Sequence, residues 1–376
     1  MAQENRFERL PRWQRASVVG AFALIAVVAV ALLAEGAVRL RQWIRFGTPW
    51  AVEQTYVFDA ASSLRIPIPN GRFGPVRINS FGFRNPEIPV EKPSGRLRIA
   101  FLGGSTTYCA EVSSNEMTWP HLVIAAIMKT FPELDIDYIN AGVPGYTTAT
   151  LKLYLEKRVA HFHPDVIVIY EATNDLAANS FTLAREQGVT SRGIDESMGW
   201  LTRRSLLLDL LAKNLAVRER QNAKEGEGTI ALDQTRLAAM YRGDLTKLVE
   251  ASKAVAKLVA VATFASRLRV GQSPPELRKS AITSLYHMPY LEPETILEGF
   301  LRYNIVIRSV ATEKDALLVE GEDLIPADAV HFTDSVHFTD AGSVQMANRV
   351  SGALLKSRRF LDLVAASRRG GHVDAQ

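Results

Sequence analysis

The first clear pattern along the chain is an unbroken apolar run, Ala16 to Ala34, which carries no charge and is bounded by Arg15 and Glu35. As a helix it spans roughly 29 Å, enough for a bilayer core of about 30 Å. Residues 16–38 are therefore expected to form one transmembrane signal-anchor helix after a short basic segment, 1–15. Further on, apolar runs alternate with amphipathic stretches. Arg96 to Leu102 leads into Gly103-Gly104 and reads as a strand entering a tight turn, Thr118 to Phe131 as a helix, and Ile136 to Ile139 as a second strand. Thr147 to His161 has helical spacing, and Val166 to Tyr170 is a continuous Val/Ile run of the kind found in strands buried on both faces. Leu201 to Val217 and Arg236 to Ala256 read as helices and Val259 to Phe264 as a fourth strand. Pro293 to Thr312 is helical, Ala316 to Val319 is a fifth strand, and Ala341 to Leu355 is a closing helix.

Strands alternating with helices predict a three-layer α/β/α domain with a mainly parallel sheet over residues 96–360. Residues 39–95, rich in Pro, Gly and Asn, read as an irregular N-terminal extension. Residues 267–293, with Pro274, Pro275 and Pro289, read as a loop-rich insertion, and 361–376 as a C-terminal tail. In such sheets ligands bind outside the carboxyl ends of the strands. Ser105, Gly145 and Asn174 each fall just after a predicted strand.

Composition changes this picture little. With 376 residues, 47% hydrophobic and 22% charged, the chain can bury a full core, and the simplest count is one main domain plus appendages. The net charge of +4 comes from interspersed charges without a nucleic-acid motif, which favours a solvated surface near anionic lipid over nucleic-acid binding. Cys109 is the only cysteine, so no internal disulfide forms, and it reads as a small apolar packing residue. No zinc spacing, dinucleotide fingerprint or P-loop is present, and the expected chemistry needs neither metal nor cofactor.

That chemistry is nucleophilic. Ser105 lies in a Gly-Gly-Ser turn, and Asp334-Ser-Val-His337 places a carboxylate three residues before an imidazole, so one loop can supply a general base and the group that orients it. Asp328-Ala-Val-His331 has the same spacing, and His331-Phe-Thr-Asp334 recurs as His337-Phe-Thr-Asp340. The second copy leads into Gly342 and the closing helix, which favours His337.

Together these residues resemble the SGNH (GDSL-type) serine hydrolase superfamily over most of Arg96 to Leu355. The first block is similar to Gly103-Gly104-Ser105-Thr106, with Gly104 replacing the Asp of the Gly-Asp-Ser-Leu form. The second is similar to Asn140 through Gly145, and the third to Glu171-Ala172-Thr173-Asn174-Asp175, with Ala172 where the family has Gly. The last is similar to Asp334-x-x-His337-Phe-Thr-x-x-Gly342. Asn79-Ser-Phe-Gly-Phe-Arg84 also resembles the lead-in of a membrane- or lipid-anchored bacterial subgroup.

The resemblance implies a flavodoxin-like fold, a Ser105–His337–Asp334 triad, and an oxyanion hole made of the Ser105 and Gly145 N–H groups and the Asn174 side chain. It implies an esterase, with acyl transfer possible, acting on small O-acyl esters of an envelope polysaccharide or lipid, held at the membrane by its N-terminal helix with the domain outside the cytoplasm. The sequence names no protein partner. The alternative is a catalytically silent scaffold that binds glycan. Tyr286, His287, Met288 and Tyr290, in the insertion, are suited either to contacting the sugar rings or acyl chain of a substrate or to pinning the long loop onto the core.

Overall fold

Five apolar runs that need burial on both faces come together in one sheet. In the computed structural model, which describes residues 11–46, 55–189, 204–222 and 229–373, these are β5 (Leu97–Gly103), β6 (Ile136–Gly142), β7 (Val166–Tyr170), β8 (Leu258–Ala262) and β9 (Leu317–Val319). Each neighbouring pair is parallel and the strand order is β6-β5-β7-β8-β9. The central strands β5, β7 and β8 are buried at every position, as their Val/Ile-rich sequences require.

Helices cover both faces. In chain order they are α1 (Arg12–Phe46), α2 (Ser105–Tyr108), α3 (Trp119–Thr130), α4 (Thr148–Tyr154), α5 (Thr173–Glu186), α6 (Leu206–Asn222), α7 (Gln234–Val255), α8 (Pro274–Ser280), α9 (Ile282–His287), α10 (Pro293–Glu313), α11 (Asp340–Lys356) and α12 (Arg358–Val373). One layer groups α3, α11 and α12, and the other groups α4, α5 and α10 around α7. The result is the expected three-layer α/β/α architecture. The order in which strands are added reverses between β5 and β7, β6 lying on one side of β5 and β7 on the other, so the crevice at their carboxyl ends is where this topology puts a site.

Four stretches differ from expectation. The 39–95 extension contains two antiparallel hairpins, β1 (Tyr56–Asp59) with β2 (Leu64–Pro67) and β3 (Arg72–Phe73) with β4 (Val76–Arg77). The loop-rich insertion contains α8 and α9, because Ser273, Pro274, Pro275 and Glu276 form a capping box with proline at the helix start rather than a break. The tail is helical, since Phe360 and Val364 of α12 reach the core. The apolar helix α1 extends beyond 16–38 at both ends, supported past Glu35 by its ion pair with Arg39 at 2.7 Å.

The apolar window of α1 is uncovered by protein. Glu35 also accepts from Ser205 Oγ at 2.7 Å and from the Leu206 and Leu207 N–H groups, which caps α6 against α1. Arg6 and Arg9 of the basic segment, residues 47–54 of the extension, Leu201 at the start of the expected helix, and the final residues 374–376 lie outside the described part.

Candidate active site

The nucleophile turn is built by close approach. Ser105 opens α2, a single helical turn directly after β5, and Cys109 ends that turn in the left-handed region at φ 59°. A Cβ on Gly104 would lie 2.2 Å from Glu171 Oε2 and 2.4 Å from Asn174 Nδ2, so only glycine fits there. The same contacts show that the side chains of Glu171 and Asn174, from the end of β7 and the start of α5, crowd against the turn that presents Ser105.

Ser105 Oγ lies 2.7 Å from His337 Nε2. His337 Nδ1 lies 2.8 Å from Asp334 Oδ2, and Asp334 Oδ1 accepts from the N–H groups of Val336 and His337, both at 2.9 Å. The three residues thus form one continuous hydrogen-bonded chain. Burial works against a charged Asp334, but the bond from His337 and the two backbone donors outweigh it and hold the carboxyl below its usual range. Burial also lowers His337, yet Glu111, Asp334 and Glu171 together overcome it and raise the imidazole to about 9.

The repeated segment resolves into a hairpin. Thr333 N–H donates to His337 O and Thr339 N–H to His331 O, with Phe332 opposite Phe338, so each copy is the other's pairing partner. Asp328 and His331 make the same side-chain pair, at 2.8 Å, but only the second copy reaches Ser105.

The expected oxyanion donors lie in two loops that are bonded to each other. Gly145 has φ +84°, a conformation that suits glycine, in the loop between β6 and α4. Asn174 Nδ2 donates to Tyr146 O at 3.0 Å, and the next residue, Asp175, accepts from both the N–H and the hydroxyl of Thr148. These bonds tie the Gly145 loop to the start of α5.

Glu171, which sequence reasoning did not single out, underlies the arrangement. It is fully buried at the end of β7, and its Oε1 accepts from the Asn174 N–H at 2.8 Å. Burial, reinforced by Asp175, pushes its carboxyl up to about 8, so it is largely protonated at neutral pH. The signal in the sequence is the pairing of a position without a side chain, Gly104, with a carboxyl three residues before Asn174.

The candidate substrate contacts behave differently from one another. Tyr290 and Met288 are buried in the core. The Tyr290 hydroxyl lies 3.1 Å from Ser180 Oγ, and its ring packs near Phe181. Tyr290 fastens the insertion to α5, and neither Tyr290 nor Met288 offers an open platform. Tyr286 is half-buried and His287 exposed. Cys109 is a buried free thiol, pushed up to about 12 by burial. Among the described residues no group of three or more His, Cys, Asp or Glu is arranged to hold a metal ion.

The family model described as the GDSL-like Lipase/Acylhydrolase family matches residues 101–344. Solved structures similar to the chain include the acetylxylan esterase Axe2 from Geobacillus stearothermophilus, at 18% identity, covering 70% of this chain and 94% of that one, with a TM-score of 0.42. They also include the lipase/acylhydrolase from Enterococcus faecalis, at 15% identity, covering 69% and 95%, with a TM-score of 0.41. Comparison with curated protein sequences returns no match.

Proposed function

The chain belongs to the GDSL-like lipase/acylhydrolase family and is an ester-hydrolysing enzyme, and on that premise we propose that it acts through a Ser105–His337–Asp334 triad on small O-acyl esters, such as acetyl, of a glycan or lipid in the cell envelope. The observation that carries the proposal is the unbroken chain from Ser105 Oγ through His337 to Asp334. His337 Nε2 takes the Ser105 proton as Oγ attacks the ester carbonyl carbon. The carbonyl oxygen becomes a tetrahedral oxyanion, received by the Ser105 and Gly145 N–H groups and the Asn174 amide. Protonated His337, held by Asp334, then gives its proton to the departing alcohol and leaves an acyl-serine. Water, activated by the same imidazole, attacks the acyl-serine and restores the hydroxyl.

The raised imidazole gives this mechanism a pH signature. Only neutral His337 can accept the proton, and with its affinity raised to about 9 the neutral fraction grows roughly tenfold per pH unit below that value. Release of acetate from an acetylated oligosaccharide, or hydrolysis of an aryl acetate, is therefore expected to show kcat/KM climbing from pH 6 towards about 9. Glu111→Gln removes the foremost of the charges that raise His337, and should move the midpoint to lower pH. A profile already flat at pH 6.5 would contradict the raised imidazole. No acetate release at any pH, with aryl esters still cleaved, would contradict the substrate class.

A membrane location is supported by α1, whose uncharged run is long enough to cross a bilayer and has no protein cover. Four arginines precede the run, Arg6, Arg9, Arg12 and Arg15, and three follow it, Arg39, Arg41 and Arg45, a difference too small to set orientation. The placement of the catalytic domain outside is supported by the resemblance of Asn79–Arg84 to the lead-in of a membrane- or lipid-anchored bacterial subgroup. Protease added to spheroplasts expressing the full chain should digest the domain and leave a short membrane-embedded fragment. Protection of the whole domain would put the enzyme in the cytoplasm.

A further inference from the structure

We propose that Arg84, from the extension that precedes the sheet, is a positioning residue for the active site, holding the nucleophile turn and the histidine loop in mutual register. The proposal rests on Ser105 and His337 acting as described above. Arg84 is fully buried, and its side-chain hydrogen bonds among the described residues go to carbonyl and amide oxygens rather than to a carboxylate. Nη1 donates to Tyr108 O at 2.8 Å and to Cys109 O, Nε to Asn115 Oδ1 at 2.9 Å, and Nη2 to Ser114 O at 3.4 Å. The guanidinium also lies over the Tyr108 ring, 5.5 Å from its centre.

These acceptors explain what the cation does. A helix of one turn cannot sustain itself, because nucleation is unfavourable and its terminal carbonyls lack partners. In α2 that end is Tyr108 and Cys109, where only Cys109 O has a backbone donor, the Val112 N–H at 3.4 Å, and Arg84 donates to both carbonyls, bringing a positive charge to the C-terminal end, where it is favoured. The opposite end of the same turn is Ser105, so any tilt of α2 moves the attacking oxygen and the Ser105 N–H together.

The clamp extends to the base. Between the acceptors of Arg84 lies Ser113, whose N–H and hydroxyl donate to Asp340 at 2.9 and 2.6 Å. Asp340 opens α11 three residues after His337, so the segment gripped by Arg84 also fastens the histidine loop.

Arg84 is itself held on both sides. Its N–H donates to Asn140 O of β6, the Asn140 N–H donates to Asn85 Oδ1 at 3.0 Å, and neighbouring Phe83 packs edge-on against Tyr154 and Phe162. The extension is therefore part of the catalytic apparatus rather than a spacer between anchor and domain.

The test uses the full-length protein in detergent, assayed well below its melting temperature. Arg84→Lys keeps the charge and loses the fork that spans several acceptors. It is expected to lower kcat on an aryl acetate by about 10- to 100-fold with KM nearly unchanged, the loss that small misplacement of reacting atoms produces. The rate of fluorophosphonate labelling should fall in parallel, and millimolar guanidinium should restore part of the activity of Arg84→Ala but add nothing to the wild type.

Arg84→Lys with kcat within about twofold of wild type and only a lowered melting temperature would overturn the proposal, since that is what a purely structural role gives. Should Arg84→Lys not fold, Asn115→Ala decides: a kcat loss of about threefold or more at unchanged KM supports the clamp, and an unchanged kcat overturns it. A dead Ser105→Ala beside a fully active Arg84→Lys would sink the clamp alone, whereas an active Ser105→Ala would sink the reading beneath it.

Discussion

Ser105→Ala is expected to lower turnover of a short-chain aryl ester by about 10⁴-fold or more, the scale on which serine nucleophiles contribute when the rest of the site is intact. The substitution removes one partly exposed hydroxyl, whose partner is His337, and leaves the glycine turn and the bonds of α2 in place. Stability should change by no more than about 1 kcal/mol. Loss of activity at an unchanged melting temperature therefore assigns chemistry to the hydroxyl. Retention of even a tenth of wild-type turnover would exclude Ser105 as the nucleophile.

The second large effect separates the two halves of the repeat. His337→Ala removes the base and should cost about 10⁴-fold in kcat, whereas His331→Ala should stay within about threefold. His331 pairs with Asp328 at the same spacing, but its side chain makes no bond to Ser105, and what it gives the hairpin is its backbone carbonyl, which alanine also provides. Steady-state kinetics of the two variants on one substrate make the comparison. Equal losses, or a greater loss at His331, would mean that the wrong copy has been chosen.

The sheet was readable because β7 and β8, buried on both faces, are written in continuous apolar residues, and β5 is apolar apart from Arg98, whose buried guanidinium pairs with Asp137. Its edges were less so. β6 runs on through Asn140, Ala141 and Gly142, which lack strand-like side chains but continue the ladder opposite Phe101, Leu102 and Gly103. The helix expected from Thr147 to His161 changes character after Tyr154, passing through a π turn at Leu155–Val159 and a 3-10 turn at Ala160–Phe162, because apolar spacing barely changes when the hydrogen-bond ladder shifts by one residue.

Residues of the candidate site show the same division. Ser105, Asp334 and His337 were legible because their type and local spacing carry the chemistry. Glu171 was not, since a carboxyl at a strand end acquires its environment only when Gly104, 67 positions earlier in the chain, packs against it. Tyr290 had two readings in the sequence, substrate platform or loop pin, and its burial goes with the second. An aromatic cluster in a proline-rich segment looks like a platform for sugar rings, but nothing in the local sequence reveals that Ser180 of α5 waits to receive the hydroxyl. Burial is a property of the whole fold, and short patterns do not encode it.

The claim that Ser105 is a nucleophile activated by His337 is tested most directly by incubating the purified full-length protein with a fluorophosphonate and mapping the adduct by mass spectrometry. The expected result is a single adduct on Ser105, absent from Ser105→Ala, greatly slowed in His337→Ala, and formed faster at pH 9 than at pH 7 in the wild type. No adduct on the wild type, or an adduct that persists in Ser105→Ala, would contradict it.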